Sequence, residues 1–316
     1  MLYLVKNKLV VLAAFGLVVL VVLCTTVAVA EDAIDSRFSK LMEQYQKLDT
    51  VHLKSKITIA LHVGKTEDPS TADVTRTTID YEYWGAKGRR YRVESRYYDA
   101  NGILQQAWSF AYDGKVFQIL DHTTKVFGFG REDPKQNPCA PENPLFAPVR
   151  FLSRDDDNCR ACTLKLSDVL SPTTWQEKRS VAKLVRLSEQ EPGLEVVQMP
   201  YGVVEGKAVF SRVYFGGSPD YTPTRIEILD QQGQIRGCMS ISYQPISKDG
   251  KLMHWPSLVH YSVRNERGKT ELELIAKVEA LEINEQLPTD VFIIDASSAH
   301  AFWDRDAKMF VDTRHQ

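Results

Sequence analysis

The residues best suited to chemistry are four cysteines, Cys139, Cys159, Cys162 and Cys238, in the body of the chain. Cys159 and Cys162 have the C-x₂-C spacing that occurs in local disulfides, in redox pairs and in half of a zinc site. A complete zinc ribbon needs a second such pair or a histidine pair, and the sequence has neither. We therefore predict a structural disulfide among Cys139, Cys159 and Cys162, with free thiols as the main alternative, and a small buried thiol at Cys238.

The other polar motifs argue against catalysis. Gly64–Thr66 and Gly268–Thr270 resemble the end of a phosphate-binding loop, but each lacks the glycine required five positions before its own, so both predict turns. The histidines are scattered without the spacing of a triad or a metal site, and the acidic run Asp155–Asn158 lacks the spaced ligands of a calcium loop. We therefore expect a protein that is not an enzyme, with no catalytic residue, no metal and no cofactor.

The composition narrows the class of protein further. The 316 residues include 39 basic and 41 acidic side chains, which give a formal net charge of −2. A nucleic-acid-binding protein normally carries a surplus of basic residues, so this balance argues against nucleic acid as a partner. The hydrophobic content of 43% is that of an ordinary folded chain.

The first thirty residues predict an export signal. Lys6 and Lys8 precede an uncharged run from Leu9 to Ala30, which ends in the small-x-small pattern Ala28-Val29-Ala30. This order is typical of a cleaved signal peptide. An uncleaved membrane anchor is the alternative, because the run is long enough to span a bilayer. In both cases we expect a protein of the periplasm or cell envelope, where disulfides are permitted, with residues 31–316 as a single domain.

The elements that would position any site are mostly strands. Residues 33–48 carry apolar side chains at helical spacing, which predicts an amphipathic helix. From Val51 to Leu120, alternating apolar and polar residues between turns predict an antiparallel meander. The clearest hairpin joins Thr224–Leu229 to Ile235–Tyr243 through a polar turn that contains Gly233. Further patterns of this kind bring the predicted total to ten or eleven strands.

A proline- and cysteine-rich insert interrupts the strand pattern at about residues 128–185. Within it, Leu145–Leu152 and Pro172–Val185 are apolar enough to predict short helices, the second with proline in its first turn. A large antiparallel sheet with helices over one face is an α+β architecture, and this is the predicted fold class.

The apolar side of the early strands is the remaining candidate for a functional surface. Its aromatic side chains combine apolar area with polar tips, which suits lipid head groups or glycerol beside acyl chains. The alternative is that the same residues pack against the helices as an ordinary core. We predict that a ligand cavity is lined by thirteen residues of these strands and of the insert: Ile57, Ile59, Leu61, Tyr81, Tyr83, Tyr91, Val93, Trp108, Phe110, Phe117, Ile119, Leu145 and Phe146.

Four segments resemble, in the same order, segments of the periplasmic lipoprotein-sorting carriers, the family of the outer-membrane lipoprotein carrier protein. They are Leu48–Val51, Ala111–Phe117 with its Asp-Gly-Lys turn, Pro223–Asp230, and Ile283–Phe292 with its Asn, Leu, Pro and Phe. The resemblance implies a strongly curved, open half-barrel whose helices form a lid over the concave face. It also implies a monomeric carrier whose partners are the acyl chains of a lipid or lipoprotein and a membrane-bound donor or acceptor protein.

The sequence departs from the family in a turn between two early strands. The carriers have an arginine–proline pair there, and the arginine helps to latch the lid, whereas here Lys87 stands in its place and Arg89 follows. Lysine is not a forked donor, so it would hold backbone carbonyls less specifically. The resemblance therefore implies Lys87 and Arg89 as latch residues of a carrier or chaperone in lipoprotein sorting or lipid transfer. The alternative on the same fold is a sensor or protein-interaction module with a closed core.

Overall fold

The computed structural model describes residues 39, 41, 43–45, 47–63, 73–87, 90–131, 143–146, 183–185, 195–204, 207–216, 222–248 and 251–311. The predicted export signal, the latch candidate Arg89 and the disulfide candidates Cys139, Cys159 and Cys162 lie outside the described residues. Within the described ranges, no helix is both long and apolar enough to cross a membrane.

The described strands form one sheet of fifteen strands, whose order is β15-β14-β6-β5-β4-β3-β2-β1-β13-β12-β11-β10-β9-β8-β7. The strands are β1 (Thr50–Val63), β2 (Asp73–Ala86), β3 (Arg90–Tyr98), β4 (Leu104–Tyr112), β5 (Phe117–Asp121), β6 (Val126–Gly130), β7 (Lys183–Val185), β8 (Glu195–Val204), β9 (Lys207–Phe215), β10 (Pro223–Leu229), β11 (Ile235–Lys248), β12 (Lys251–Arg264), β13 (Thr270–Ile283), β14 (Ala301–Asp304) and β15 (Met309–Val311). Neighbours run antiparallel except β14 and β6, which are parallel. Since β15 and β7 stand at opposite ends, the sheet is open, as predicted.

Two runs of neighbouring strands meet at the centre of the sheet. Strands β1 to β5 form the predicted meander, which β6 extends by one strand that was not predicted, and strands β7 to β13 form a second meander that ends beside β1. The pairing of β1 with β13 joins the two runs from Val51 opposite Ile283 to Leu61 opposite Leu272. The centre of the sheet therefore depends on a contact between the beginning and the end of the domain.

The predicted hairpin is confirmed as β10 and β11. Its turn contains Gly233, whose φ of 76° costs glycine little, and Asp230 Oδ1 accepts hydrogen bonds from the backbone N–H groups of Gln232 and Gln234. The predicted count of ten or eleven strands was too low. Strands β7, β14 and β15 have only three or four residues, which is too short to show alternation in a sequence.

One face of the sheet, called here the inner face, carries the main core. On β1 it is the face of Val51, Leu53, Ser55 and Ile57, which are at most 1% exposed. The N-terminal segment and a 3₁₀ turn (Pro144–Phe146) cover this face. The covering side chains are Leu41, Tyr45, Leu48, Leu145 and Phe146.

The predicted cover of helices over the concave face is not confirmed. Among the described residues, the cover is helical only at 39, 41 and 43–45 and in the single 3₁₀ turn. The predicted helix Pro172–Val185 is wrong at its end, because Lys183–Val185 is strand β7 and pairs with β8. The tip of the β11–β12 hairpin adds to the cover through Trp255, which is 1% exposed.

The C-terminal segment crosses the opposite, outer face between β13 and β14. Arg92 on β3 donates from Nη1 to the carbonyl oxygens of Val291, at 3.1 Å, and of Ile293, at 3.2 Å. Gln118 Oε1 on β5 accepts a hydrogen bond from the backbone N–H of Ile294 at 2.9 Å. A crossover of this kind allows β14 to pair in parallel with β6. A second small core forms beneath it from Ala111, Leu120, Phe127 and Ile294.

Candidate functional site

The structure brings the predicted cavity-lining residues together, with one exception. Twelve of the thirteen belong to one hydrophobic cluster on the inner face. Nine of these are buried, while Ile59, Trp108 and Ile119 are partly buried at its margin. Leu61 is the exception, because its side chain is 45% exposed near the end of β1. The alternation in the sequence thus identified one continuous surface of the sheet.

Phe146 lies at the centre of an aromatic cluster that joins the sheet to its cover. Its ring centroid is 5.0 Å from that of Tyr83 and 6.5 Å from those of Tyr81 and Trp255. The Trp255 ring is in turn 5.9 Å from that of Tyr45. All four contacts are edge-to-face, an arrangement that aromatic pairs favour. The aromatic cluster, defined by these five residues, connects β2, the 3₁₀ turn, β12 and the N-terminal segment.

A buried amide fixes the 3₁₀ turn on the sheet. The side chain of Asn143 is fully buried, and its Nδ2 donates to Ser55 Oγ at 3.1 Å. Its Oδ1 accepts a hydrogen bond from the backbone N–H of Leu145 at 3.0 Å. A buried hydrogen bond of this kind contributes about 1 kcal/mol net. The burial of Leu145 and Phe146 therefore supplies most of the free energy that holds the turn.

The inner face is less completely covered towards the end of β1. Ile59 and Leu61 of β1 share register rows with Tyr261 and Val263 of β12 across the intervening strand β13, and Met239 of β11 lies opposite Tyr261. All five residues are half-buried or exposed. These five residues are called here the open margin. They are continuous with the buried cluster, since Ile59, Met239 and Tyr261 pack against it. An apolar chain that reached the inner face by way of the open margin would stay in contact with apolar side chains along its path.

The phenols within the core stay neutral. Burial raises the pKa of the Tyr45 and Tyr83 side chains above the ordinary value of tyrosine. Burial, and to a smaller extent the charge of Tyr45, raises the pKa of Tyr243 in the same direction. The phenol of Tyr243 donates a hydrogen bond to the carbonyl oxygen of Pro223 at 2.7 Å. Because burial disfavours charge here, the region suits an uncharged group.

A clamp at the start of β1 ties the N-terminal segment to the end of β13. Asn284 Oδ1 accepts a hydrogen bond from the backbone N–H of Asp49 at 2.6 Å, and its Nδ2 donates to the carbonyl oxygen of Lys47 at 2.7 Å. The predicted latch residue Lys87 forms an ion pair with the Asp49 carboxylate, and its backbone N–H donates to the Asp49 carbonyl oxygen at 3.0 Å. Both side chains of this ion pair are more than half exposed, so its contribution is small. Asn284 is the stronger connection.

Asn284 also adopts a left-handed backbone conformation, with φ of 55°, which asparagine tolerates better than most residues. We expect Asn284→Gly, which keeps this backbone accessible but removes the side-chain hydrogen bonds, to lower the free energy of unfolding by about 1–2 kcal/mol. Asn284→Ala should cost about 1 kcal/mol more because alanine disfavours the left-handed region. Urea denaturation of both variants measures the two contributions. Equal stability of the two variants would contradict the backbone part of this prediction.

The remaining candidate groups show no assembled chemistry within the described residues. Cys238 is a free, half-buried thiol on β11. No group of three or more His, Cys, Asp or Glu side chains in the described part of the chain is placed to hold a metal ion. The predicted disulfide among Cys139, Cys159 and Cys162 stays a prediction.

Comparisons with known proteins give similarity in structure only. No family model and no curated protein matches the sequence. An outer membrane lipoprotein-sorting protein domain from Vibrio parahaemolyticus matches with 8% identity and a TM-score of 0.43, over 81% of this chain and 95% of that one. A DUF1329 family protein from Desulfovibrio piger matches with 10% identity and a TM-score of 0.43, over 82% and 96%. A LolA superfamily protein from Nitrosomonas europaea matches with 13% identity and a TM-score of 0.39, over 83% and 97%.

Two of these matches carry the name of the lipoprotein-sorting family that the sequence resembles, and their low identity marks this chain as divergent from them. At such identities and TM-scores the matches carry no information about cargo. The function therefore has to come from the residues of this chain.

Proposed function

We propose that this is an exported, non-enzymatic protein of the periplasm or cell envelope that binds acyl chains of a lipid or lipoprotein on the inner face. The observation that supports the proposal is the aromatic cluster, in which the short turn bearing Phe146 closes the inner face. A turn held mainly by two apolar side chains can be replaced by another apolar group of similar volume. In this proposal Phe146 occupies the place of the ligand and leaves when the ligand arrives.

Binding is driven by the removal of apolar surface from water. Each methylene that becomes buried contributes about 0.8 kcal/mol, so a long acyl chain can offset the loss of the contacts of Leu145 and Phe146. The ligand reaches the cluster past Ile59, Leu61 and Tyr261 of the open margin. Release follows when the 3₁₀ turn closes again, which makes the turn a competitor of the ligand. A membrane-bound partner could then take over the ligand by favouring, only slightly, the state in which the 3₁₀ turn occupies the inner face.

A second candidate is a protein-interaction or sensor module with a closed core. The observation that favours it is the complete burial of lining residues such as Tyr83, Phe110 and Phe117, each 0% exposed. Native mass spectrometry of the purified protein, with lipid extraction of the same sample, distinguishes the two. A stoichiometric acyl-bearing adduct supports the carrier. A clean mass without lipid, and no uptake of offered phospholipid or lipopeptide, would reject the carrier and favour the module.

A charged residue introduced at the open margin should weaken ligand binding while the protein still folds. Ile59 is half-buried on the inner face, so Ile59→Glu can keep its carboxylate near water while placing it on the proposed path. We expect Ile59→Glu to weaken acyl-ligand binding at least tenfold, because an acyl chain would desolvate the charge. The matched control is Thr58→Glu, one residue away on the outer face and also half-buried. Equal binding losses in the two variants would contradict the proposed path.

A further inference from the structure

Two buried polar atoms on the inner face have no hydrogen-bond partner among the described residues. They are Nε1 of Trp255, a residue 1% exposed, and Oγ of Ser95, a residue 0% exposed. An indole N–H can only donate a hydrogen bond, whereas a hydroxyl group can both donate and accept one. Buried polar atoms are paired in the great majority of cases, so an unpaired one needs an explanation.

Trp255 contacts Phe146 directly, and Ser95 is the cross-strand neighbour of a residue that does. Ser95 stands on β3 directly between Tyr81 of β2 and Trp108 of β4. The rings of Tyr81 and Trp255 each contact the ring of Phe146. Phe146 therefore packs against the sheet through Tyr81, the cross-strand neighbour of Ser95, and against the β11–β12 hairpin through Trp255. A phenyl ring offers no strong acceptor, so it fills this region and leaves both polar atoms unpaired.

We infer that Trp255 Nε1 donates to the carbonyl oxygen of an ester- or amide-linked acyl group that replaces Phe146, and that Ser95 Oγ makes a second polar contact with the same linkage. The inference rests on the proposed function and specifies its ligand class. A plain hydrocarbon would leave the donor unpaired. A free fatty acid would place a carboxylate in a region where burial disfavours charge, as the tyrosine pKa values show. An acyl ester or amide is uncharged and supplies the missing acceptor.

The test compares two lipids that differ only at the linkage. The first is 1-monopalmitoylglycerol, an ester, and the second is 1-O-hexadecylglycerol, an ether of the same chain length without the carbonyl. Both compete with a fluorescent acyl probe for the protein that is expressed from its full coding sequence and purified from the cell. We expect the ester to bind the wild-type protein about tenfold more tightly, as one buried hydrogen bond would predict.

Two variants assign this preference to the named atoms. Trp255→Phe keeps a ring in the aromatic cluster but removes the N–H, and it should reduce the ester-to-ether ratio to about two or less. Ser95→Ala should reduce the ratio partly, and it serves as the second variant if Trp255→Phe fails to fold. Trp84→Phe is the control, since it removes an indole N–H from the outer face, where Trp84 stacks on His52, and its ratio should match the wild type.

Each outcome decides a different claim. Equal binding of ester and ether to the wild-type protein would overturn the inference and leave the proposed function standing. An unchanged preference in both Trp255→Phe and Ser95→Ala would also overturn it, because the carbonyl would then be recognised elsewhere. Failure of both lipids, and of the probe, to bind would reject the proposed function together with the inference.

Discussion

Replacement of Phe146 by alanine is expected to destabilise the protein and, at the same time, to tighten its binding of acyl ligands. The Phe146 side chain is 2% exposed and contacts three other aromatic rings, so its removal should lower the free energy of unfolding by about 3 kcal/mol. The same truncation removes the group that competes with the ligand for the inner face. We expect the dissociation constant of a monoacyl lipid to fall at least fivefold. Chemical denaturation and probe displacement measure the two effects.

Phe110→Ala is the matched control for this prediction. Phe110 is also fully buried on the inner face, but it belongs to strand β4 and is not part of the turn that closes the face. The stability of the variant should fall by about 3–5 kcal/mol, while its affinity for the ligand should stay the same or decrease. Similar changes in affinity for both variants would show that a cavity alone, and not the departure of Phe146, controls binding. Such a result would count against the competition between turn and ligand.

Regular alternation explains why much of the sheet could be predicted. In the fourteen-residue strand β1, Val51, Leu53 and Ile57 recur at intervals of two or four residues, and their side of the strand becomes the buried face. The insert has no such regularity in its sequence, and the piece of it that covers the sheet among the described residues is a 3₁₀ turn of three residues, which is too short to show a periodicity. Within the described residues the predicted helical lid is therefore not confirmed. The sequence identified Leu145 and Phe146 as apolar lining residues, but it did not predict the 3₁₀ turn that carries them.

Trp255 could not be assigned to the site because of its neighbour Pro256. A proline argues against a strand interior, so the local pattern favours a strand that begins only after Pro256. In the structure β12 begins at Lys251, and Pro256 lies opposite Tyr243 where the register shifts. The pairing of β12 with β13 begins only at Leu258, so Pro256 needs no N–H for that neighbour. The position of β12 in the sheet thus allows a proline within the strand, although the local sequence pattern argues against one.

The clamp at Asn284 is a contact between distant parts of the chain, which the sequence alone could not predict. Its partners Lys47 and Asp49 lie more than 230 residues away along the chain, and only the pairing of β1 with β13 brings them together. The sequence did point to Lys87, and the structure places that residue on Asp49 at the same junction. Residue types and their spacing along one chain carry no signal for a contact at such separation, apart from the resemblance of Ile283–Phe292 to a carrier segment.

Gly85→Ala should destabilise the protein more than the addition of one methyl group would suggest. A Cβ at Gly85 would lie 2.0 Å from the hydroxyl oxygen of Tyr83 and 2.6 Å from Cζ of the same ring. The Tyr83 ring cannot easily move away, since it is fully buried and its centroid is 5.0 Å from that of Phe146. We expect the free energy of unfolding to fall by about 3 kcal/mol, the upper end for overpacking in a core. Urea denaturation checks this value.

A double-mutant cycle with Tyr83→Val identifies the contact that is responsible. Valine is a good strand residue and removes the ring, so Gly85→Ala in that background should cost less than about 1 kcal/mol. Gly102→Ala is the backbone control, because Gly102 has φ of 77° and no atom within 4 Å of an added Cβ, and its cost of about 1 kcal/mol should come from strain alone. A full cost of Gly85→Ala in the Tyr83→Val background would reject the steric explanation. If the cost disappears there, a glycine is needed at position 85 because the Tyr83 ring lies against the β2 backbone.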